Sequence, residues 1–471
     1  MEHKQKRDYL FPLYILFINS FLIQSICAQT SSQNMYLLAN LNHHPEGGLY
    51  SALWGYSAPN NREYAMLGCW TGTSFVDITD SSNIHESYFL PGLGAYAREM
   101  KTFSHYAYIL GDGVPSGLQI VDLQYLPDSV HLVNTFFFSG FTRGHTIQVE
   151  GPYLYINSGD YSNQGLFVLD LTADPVHPVK RGEWEFQVVH DCRVINDTIW
   201  ACNIYNPPGT ISVIDARNKD SLRTIAQWVN VPQPGPHNIA ISADRKYAFV
   251  GDEIAGNPRL LKIWDIRDLN NVIKVAEWQP TNITTSIIHN VELLGNYLFA
   301  AHYTAGVRVI NVTDPTHPTE AGWYDTYQPN NGFTYDGCWA VYVFPGSKKI
   351  IASDRETGLY VLKTTFPIVT GNNSENVPSD FVLQQNYPNP FNPSTTIKYS
   401  VKEDSYITLK IYDASGRLTS LLVDGFTARG NKSFIYDSKN LASGIYFCNL
   451  TAQSSSGKRI FTQSRKMVLV K

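Results

Sequence analysis

GLFVLDL, residues 165–171, is an apolar run that closes on an acid and one further aliphatic residue. A strand with one covered face alternates apolar and polar side chains; this one does not, so it is expected to be buried on both faces. The same text recurs as FVDI ending at Ile78, IVDL ending at Leu123, VIDA ending at Ala216, IWDI ending at Ile266, INV ending at Val312 and VLK ending at Lys363. The acid or its substitute falls at Asp77, Asp122, Asp170, Asp215, Asp265, Asn311 and Lys363, at intervals of 45, 48, 45, 50, 46 and 52 residues. Gly72, Gly117, Gly165, Gly306 and Gly358 each stand five places earlier. Seven units are present.

Each unit holds about four strands. The third reads HTIQVEG, PYLYINSG, GLFVLDL and VKRGEW. Four-stranded units of about 40–50 residues are the mark of propeller blades, whose sheets pack on both faces. Trp184, Trp228, Trp278 and Trp323 occupy the same place in GEW, AQW, AEW and AGW, as expected of packing residues. The repeated acids, one per blade and far apart, are expected to bond backbone groups at a strand end rather than to hold a metal. Met35 to Asn40 offers a strand that could close the last blade, with a register the sequence does not show.

Composition agrees with an all-β chain. Among 471 residues there are 33 Gly, 25 Pro, 29 Tyr and only 5 Met, which suits many short strands closed by turns. A net charge of −5 without a Lys/Arg run provides no field for nucleic acid or for an anionic membrane.

The two ends carry addresses. Lys4, Lys6 and Arg7 precede the apolar stretch Leu10 to Ile26, interrupted by Asn19 and Ser20, and then Cys27 and Ala28. This is the pattern of a signal peptide cleaved near Ala28, and the apolar run is short for a bilayer span. No transmembrane anchor is expected after cleavage, and Ile26 argues against lipidation at Cys27. Cys69, Cys192, Cys202, Cys338 and Cys448 remain, an odd number without CxxC spacing, so disulfides are not the framework. Cys192 and Cys202 flank an expected hairpin turn at Asn196 and Asp197, which leaves a cross-strand bond open. Residues 371–380 read as a linker, and from Phe381 the chain again alternates strands and turns, as a small sandwich would.

That last segment resembles the C-terminal sorting domain of type IX secretion substrates. NYPNPFNPSTTI, Gly416 in a turn, the Gly444, Ile445, Tyr446 triplet and Lys471 carry the resemblance. It implies partners in the type IX machinery, contacted through residues 381–471, and then release or attachment at the cell surface. The repeats resemble the LVIVD repeat, and residues 35–365 resemble the choice-of-anchor B family. ALWGY (52–56), GTSFVDIT (72–79), GLQIVDL (117–123), GPHNIAI (235–241), YDGCWAVY and ASDRETGLYVL carry it. That family implies a propeller and a surface location, and no established reaction.

Aligning the first strand of each unit places Trp54, Arg98, His145, His190, His237, His289 and Trp339 at one height, at intervals of 44, 47, 45, 47, 52 and 50. Equivalent strand positions converge at one mouth of a propeller. Asp112, Asp160, Asp252, Glu253, His302, Asp354 and Arg355 follow the second strands and are expected at the same end. Trp54, Arg98, the four histidines, Trp339, Asp112, Asp252 and Asp354 are therefore the candidate ligand-binding residues. Three readings compete for the ring. Imidazoles repeated by duplication could simply bond backbone groups of the next blade. His145, His190, His237 and His289 could hold a divalent metal ion and serve a hydrolase- or lyase-like enzyme. The mouth could instead bind a polysaccharide or another extracellular ligand. GxSxG, HExxH and Walker motifs are missing, so catalysis has no signature.

The expectation is an exported all-β chain: signal peptide 1–28, seven-bladed β-propeller 29–370, linker 371–380, and an Ig-like β-sandwich sorting domain 381–471. Its leading reading is a secreted or cell-surface binding module without a nucleic-acid partner. The alternatives are a metal-dependent enzyme and a purely structural or adhesive surface protein.

Overall fold

Seven antiparallel sheets succeed one another along the chain, each a meander running outward from a first strand near a common axis. In the computed structural model, residues 31–471 are described, except 46–47, 206, 233, 255, 370–379, 428 and 454–458. The first strands of blades 1 to 7 are Leu53–Ser57, Arg98–Phe103, Thr146–Glu150, Asp191–Ile195, Pro236–Ile241, Val291–Leu294 and Cys338–Val343. Each touches its neighbour on both sides, and the seventh lies against the first, which closes a seven-bladed propeller. The expected signal peptide and almost all of the expected linker lie outside the described residues.

Ring closure uses the chain's early residues. Met35–Leu41 is the outer strand of blade 7, pairing antiparallel with Gly358–Thr364 from Met35 opposite Thr364 to Leu41 opposite Leu359. Just before it, Ser32–Gln33 adds a fifth strand to blade 6 against Trp323 and Tyr324, which no sequence signal announced. Stitching first to last removes the open edge that a linear row of blades would leave.

The repeated motif has a geometric cause. Oδ1 of Asp77, Asp122, Asp170, Asp215 and Asp265, and of Asn311, accepts the backbone N–H two residues on, at 2.8–3.1 Å, turning the chain out of the third strand. Gly306 and Gly358 have φ of +72° and +86°, and a Cβ there would stand 2.3 and 2.4 Å from the carbonyl oxygens of Tyr324 and Leu41. Third strands such as Leu166–Asp170 are buried nearly throughout, as an unbroken apolar run requires. Trp184, Trp278 and Trp323 are buried, and Trp184 Nε1 donates to Thr224 Oγ1 of the next blade at 2.9 Å.

The C-terminal sandwich packs the sheet of Val382–Leu383, Ser394–Val401 and Gly430–Asp437 against that of Leu418–Thr427, Ser405–Asp413, Gly444–Gln453 and Arg459–Leu469. Leu383, Ile397, Ile407, Leu409, Leu450 and Met467 fill the space between the two. It lies against the propeller: Ser104 Oγ donates to Asp424 Oδ2 at 2.7 Å, and Lys439 pairs with Asp220 at 3.1 Å. A cleft of about 1210 Å³ separates their facing surfaces.

All five described cysteines are buried and free. Cys192 pairs in register with Ala201 and Cys202 with Asp191, one step out of line, so no cross-strand disulfide forms. Among the described residues, no helix is long and apolar enough to cross a membrane.

Candidate functional site

The site grows from one backbone hydrogen bond repeated around the ring. At the start of the inner strand, the N–H of His145 reaches Asn157 O, that of His190 reaches Cys202 O and that of His289 reaches Ala301 O, each at 2.9 Å. The equivalent bond in blade 1 is made by Ser51, to Gly68 O at 2.9 Å. In blades 5 and 7 the ladder shifts by one residue at Pro236/Asn238 and Cys338/Ala340, and the extra residues are His237 and Trp339. Bulges of this kind re-aim a side chain at a rim. The ring is therefore Ser51, Arg98, His145, His190, His237, His289 and Trp339.

Four imidazoles form a continuous arc. Ring centroids are 4.4 Å apart for His145 and His190, 4.2 Å for His190 and His237, 4.0 Å for His237 and His289, and 4.6 Å for His289 and Trp339. His190, His237 and His289 are 3–4 % exposed. Their orientation follows a rule: His237 Nδ1 lies 3.2 Å from His289 O, and His289 Nδ1 lies 2.5 Å from Trp339 O, each on the next blade. A carbonyl can only accept, so both rings carry their proton on Nδ1 and leave the Nε2 lone pair free. His145 Nδ1 meets Asp112 Oδ2 at 3.1 Å. His190 Nδ1 is buried without a well-formed hydrogen bond.

Glu253 completes the cluster from the end of the second strand of blade 5. Its Oε2 lies 3.5 Å from His237 Nε2, and its Oε1 lies 3.7 Å from His289 Nε2 and accepts the Tyr303 hydroxyl at 2.8 Å. Burial, followed by the charge the neighbouring imidazoles would carry, drives His190 well below its ordinary pKa. His289 is driven well below by the same causes and His237 is lowered mainly by burial. His145 is raised: Asp112 holds its charged form against burial, and the Asp112 carboxyl is lowered in return. Around the opening stand exposed aromatics: Tyr96 beside Trp339, Tyr205 beside His190, and Tyr335 beside Tyr303. The Arg355 guanidinium lies 4.8 Å from the Trp339 ring centroid and 5.2 Å from that of Tyr96.

Four of the expected residues sit elsewhere. Trp54 lies three residues beyond Ser51 and faces the opposite end of the channel, with Lys101 Nζ 4.3 Å over its ring and Tyr342 at 4.6 Å. Repeat spacing misaligned it because loop lengths vary between blades. Arg98 has the right register, but its guanidinium turns away to the carbonyls of Cys69, Trp70 and Leu93 on blade 1. Asp252 points toward its own third strand, paired with Lys262 at 2.5 Å and accepting from Asn230 Nδ2 at 2.6 Å. Asp354 Oδ1 organises its own turn, accepting from Thr357 N and Oγ1 at 2.9 and 2.6 Å. His302 is likewise engaged behind the mouth, with Ser286 Oγ at 2.9 Å, and Asp160 binds its loop at Thr142. Ser51, Tyr303 and the aromatic rim were not anticipated. A tyrosine beside His302 in the stretch after the second strand was the one available signal.

Residues 385–463 match the secretion system C-terminal sorting domain, and residues 288–326, which include His289, match the LVIVD repeat. No curated protein matches the chain. Among solved structures, a candidate 6-phosphogluconolactonase of Bacteroides fragilis is 12 % identical, with 84 % of this chain and 100 % of that chain covered and a TM-score of 0.48. Sqt1 of Chaetomium thermophilum is 10 % identical, with 70 % and 97 % covered and a TM-score of 0.48. The extracellular domain of a two-component system protein of B. thetaiotaomicron is 12 % identical, with 94 % and 59 % covered and a TM-score of 0.47. Likenesses at this level carry no functional inference. The sorting domain supports export by type IX secretion, and with it secretion or surface attachment.

Proposed function

We propose that this chain is an exported binding module that takes a polysaccharide or similar polar extracellular ligand at the histidine-lined mouth of its propeller. In this reading residues 1–28 direct the Sec step, 29–370 form the binding domain, 371–380 link it, and 381–471 are removed or retained at the cell surface. The resemblance of residues 35–365 to the choice-of-anchor B family agrees with a surface role.

One observation carries the proposal. Buried polar groups cost stability unless they are paired, yet this mouth gathers imidazoles with unused Nε2 lone pairs beneath a rim of exposed aromatic rings. Rings that can stack on the apolar face of a sugar, above donors and acceptors that can read its hydroxyls, suit a polyhydroxylated ligand. The nearness of Glu253 to His237 and His289 favours a second reading, a metal-dependent hydrolase- or lyase-like enzyme at the same mouth.

Retention of a panel of extracellular polysaccharides on immobilised protein tests the proposal. The His190→Ala, His237→Ala double variant and Trp339→Ala are expected to lose retention at least about tenfold, the worth of one good contact. Trp54→Phe, at the opposite end, is expected to keep it. Equal retention by all variants would move the ligand off the mouth, and a fall in chain length of the polysaccharide would favour the enzyme.

A further inference from the structure

We infer that His190, His237 and Glu253 form a binding site for one transition-metal dication of the zinc, cobalt, nickel and copper class, an inference that rests on the mouth being the ligand-binding end of the propeller. One ring nitrogen of each histidine and one carboxylate oxygen lie within 4.8 Å of one another. Metal–donor bonds of about 2.0–2.2 Å in a tetrahedral site put the donors roughly 3.3 Å apart, so small side-chain rotations bring the three into a coordination sphere. His237 Nε2 and Glu253 Oε2 already stand 3.5 Å apart.

The supports around these three donors are those a metal needs. His237 gives its Nδ1 proton to the His289 carbonyl, which fixes the tautomer with Nε2 unprotonated. Tyr303 holds Glu253 by Oε1 and leaves Oε2 turned toward His237. His190 is the third donor: it is 4 % exposed, and its Nδ1 faces the His237 backbone without a well-formed hydrogen bond. Its Nε2 lies 2.9 Å from Nε2 of His145, whose own Nδ1 is committed to Asp112.

The donor set also selects the ion. Two imidazoles and one carboxylate suit borderline dications, whereas magnesium and calcium demand six or more oxygens. Three protein ligands leave a fourth position facing the mouth, the arrangement of an open site. There a sugar hydroxyl or carboxylate could bind the ion directly.

The test uses the full mature chain, stripped with chelator and titrated separately with Co²⁺, Zn²⁺ and Ni²⁺. Stoichiometry is read by elemental analysis, affinity by calorimetry and coordination by the visible absorption of Co²⁺. One ion per chain is expected. Affinity should fall at least about 100-fold in His237→Ala and about tenfold in Glu253→Gln, a near-isosteric change that keeps an acceptor for Tyr303. Both variants must melt cooperatively, and Glu253→Gln keeps the test decisive if His237→Ala does not. Less than one ion per chain, or affinity unchanged in Glu253→Gln, would overturn the site. Polysaccharide retention by the chelated wild type separates the two proposals. Retention without metal uptake overturns the metal site and leaves the binding mouth standing, and metal uptake without retention does the reverse.

Discussion

His145 Nε2 and His190 Nε2, from neighbouring blades, lie 2.9 Å apart. Because His145 Nδ1 faces the Asp112 carboxylate, that short contact is favourable only with a proton or a cation between the two nitrogens. Two bare lone pairs at this distance would repel. One of the two rings therefore donates an N–H to the other across the blade boundary.

Tautomers are the first consequence. In metal-free protein, His237 and His289 are expected to carry the proton on Nδ1, as their carbonyl partners require. Long-range ¹H–¹⁵N correlation spectra of the imidazoles report this directly. An Nε2–H tautomer at both positions would mean that the rings are turned over and that no lone pairs face the mouth.

Asp252 and Lys262 form a buried ion pair in blade 5, with side chains 3 % and 1 % exposed. Lys262→Met strands a buried carboxylate and is expected to cost about 3–5 kcal/mol in urea denaturation. The double change with Asp252→Leu should recover most of that loss. A small effect of the single change would show that Asp252, whose pKa burial already raises to about 7, takes up a proton when its partner is lost.

Glu150 closes the blade 3 to blade 4 contact by accepting the N–H groups of Asn196 and Asp197, and burial pushes its pKa up to about 7. A carboxyl whose folded pKa is raised favours the folded state fully below its unfolded pKa, near 4.5, and loses that contribution as pH climbs to 7. Wild type is expected to lose about 2–3 kcal/mol relative to Glu150→Gln across that window, with the partial exposure of the side chain already discounted. Denaturation at pH 4.5, 6 and 8 measures the difference. A pH-independent gap would place the Glu150 pKa at its ordinary value.

Removing residues 31–41 should open the ring. Met35 is 3 % exposed and Leu362 is fully covered, and the deletion uncovers the edge of Gly358–Thr364. Calorimetric unfolding is expected at least roughly 5 °C lower, with association of the exposed edges. An unchanged melting temperature would mean that blade 7 needs no outer strand.

Thiol chemistry gives a final check. Burial pushes Cys69 and Cys448 up to about 12, and Cys202 and Cys338 well above the ordinary thiol value. Cys69, Cys192, Cys202, Cys338 and Cys448 are expected to resist alkylation at pH 8 in the native protein and all to react in denaturant. Fewer reactive thiols after denaturation would reveal a disulfide.

Local chain chemistry by itself determined the repeat. An apolar strand ending on Asp170, a turn made by that acid's own carboxylate and a glycine five residues before it are short-range features, so seven copies could be counted along the chain. Four imidazoles and Trp339 at one height follow from the same count, since equal positions in equal blades meet at one mouth. Only the tertiary structure decided that Ser51, and not Trp54, completes the ring, because register depends on which carbonyl a strand's first N–H finds, and loops of unequal length hide that partner. It also decided that Arg98 turns to blade 1, Asp252 to Lys262 and Asp354 to its own turn, while Glu253 and Tyr303 reach the histidines. A side chain's direction is set by the groups that neighbouring blades bring to it, and those groups are distant along the chain.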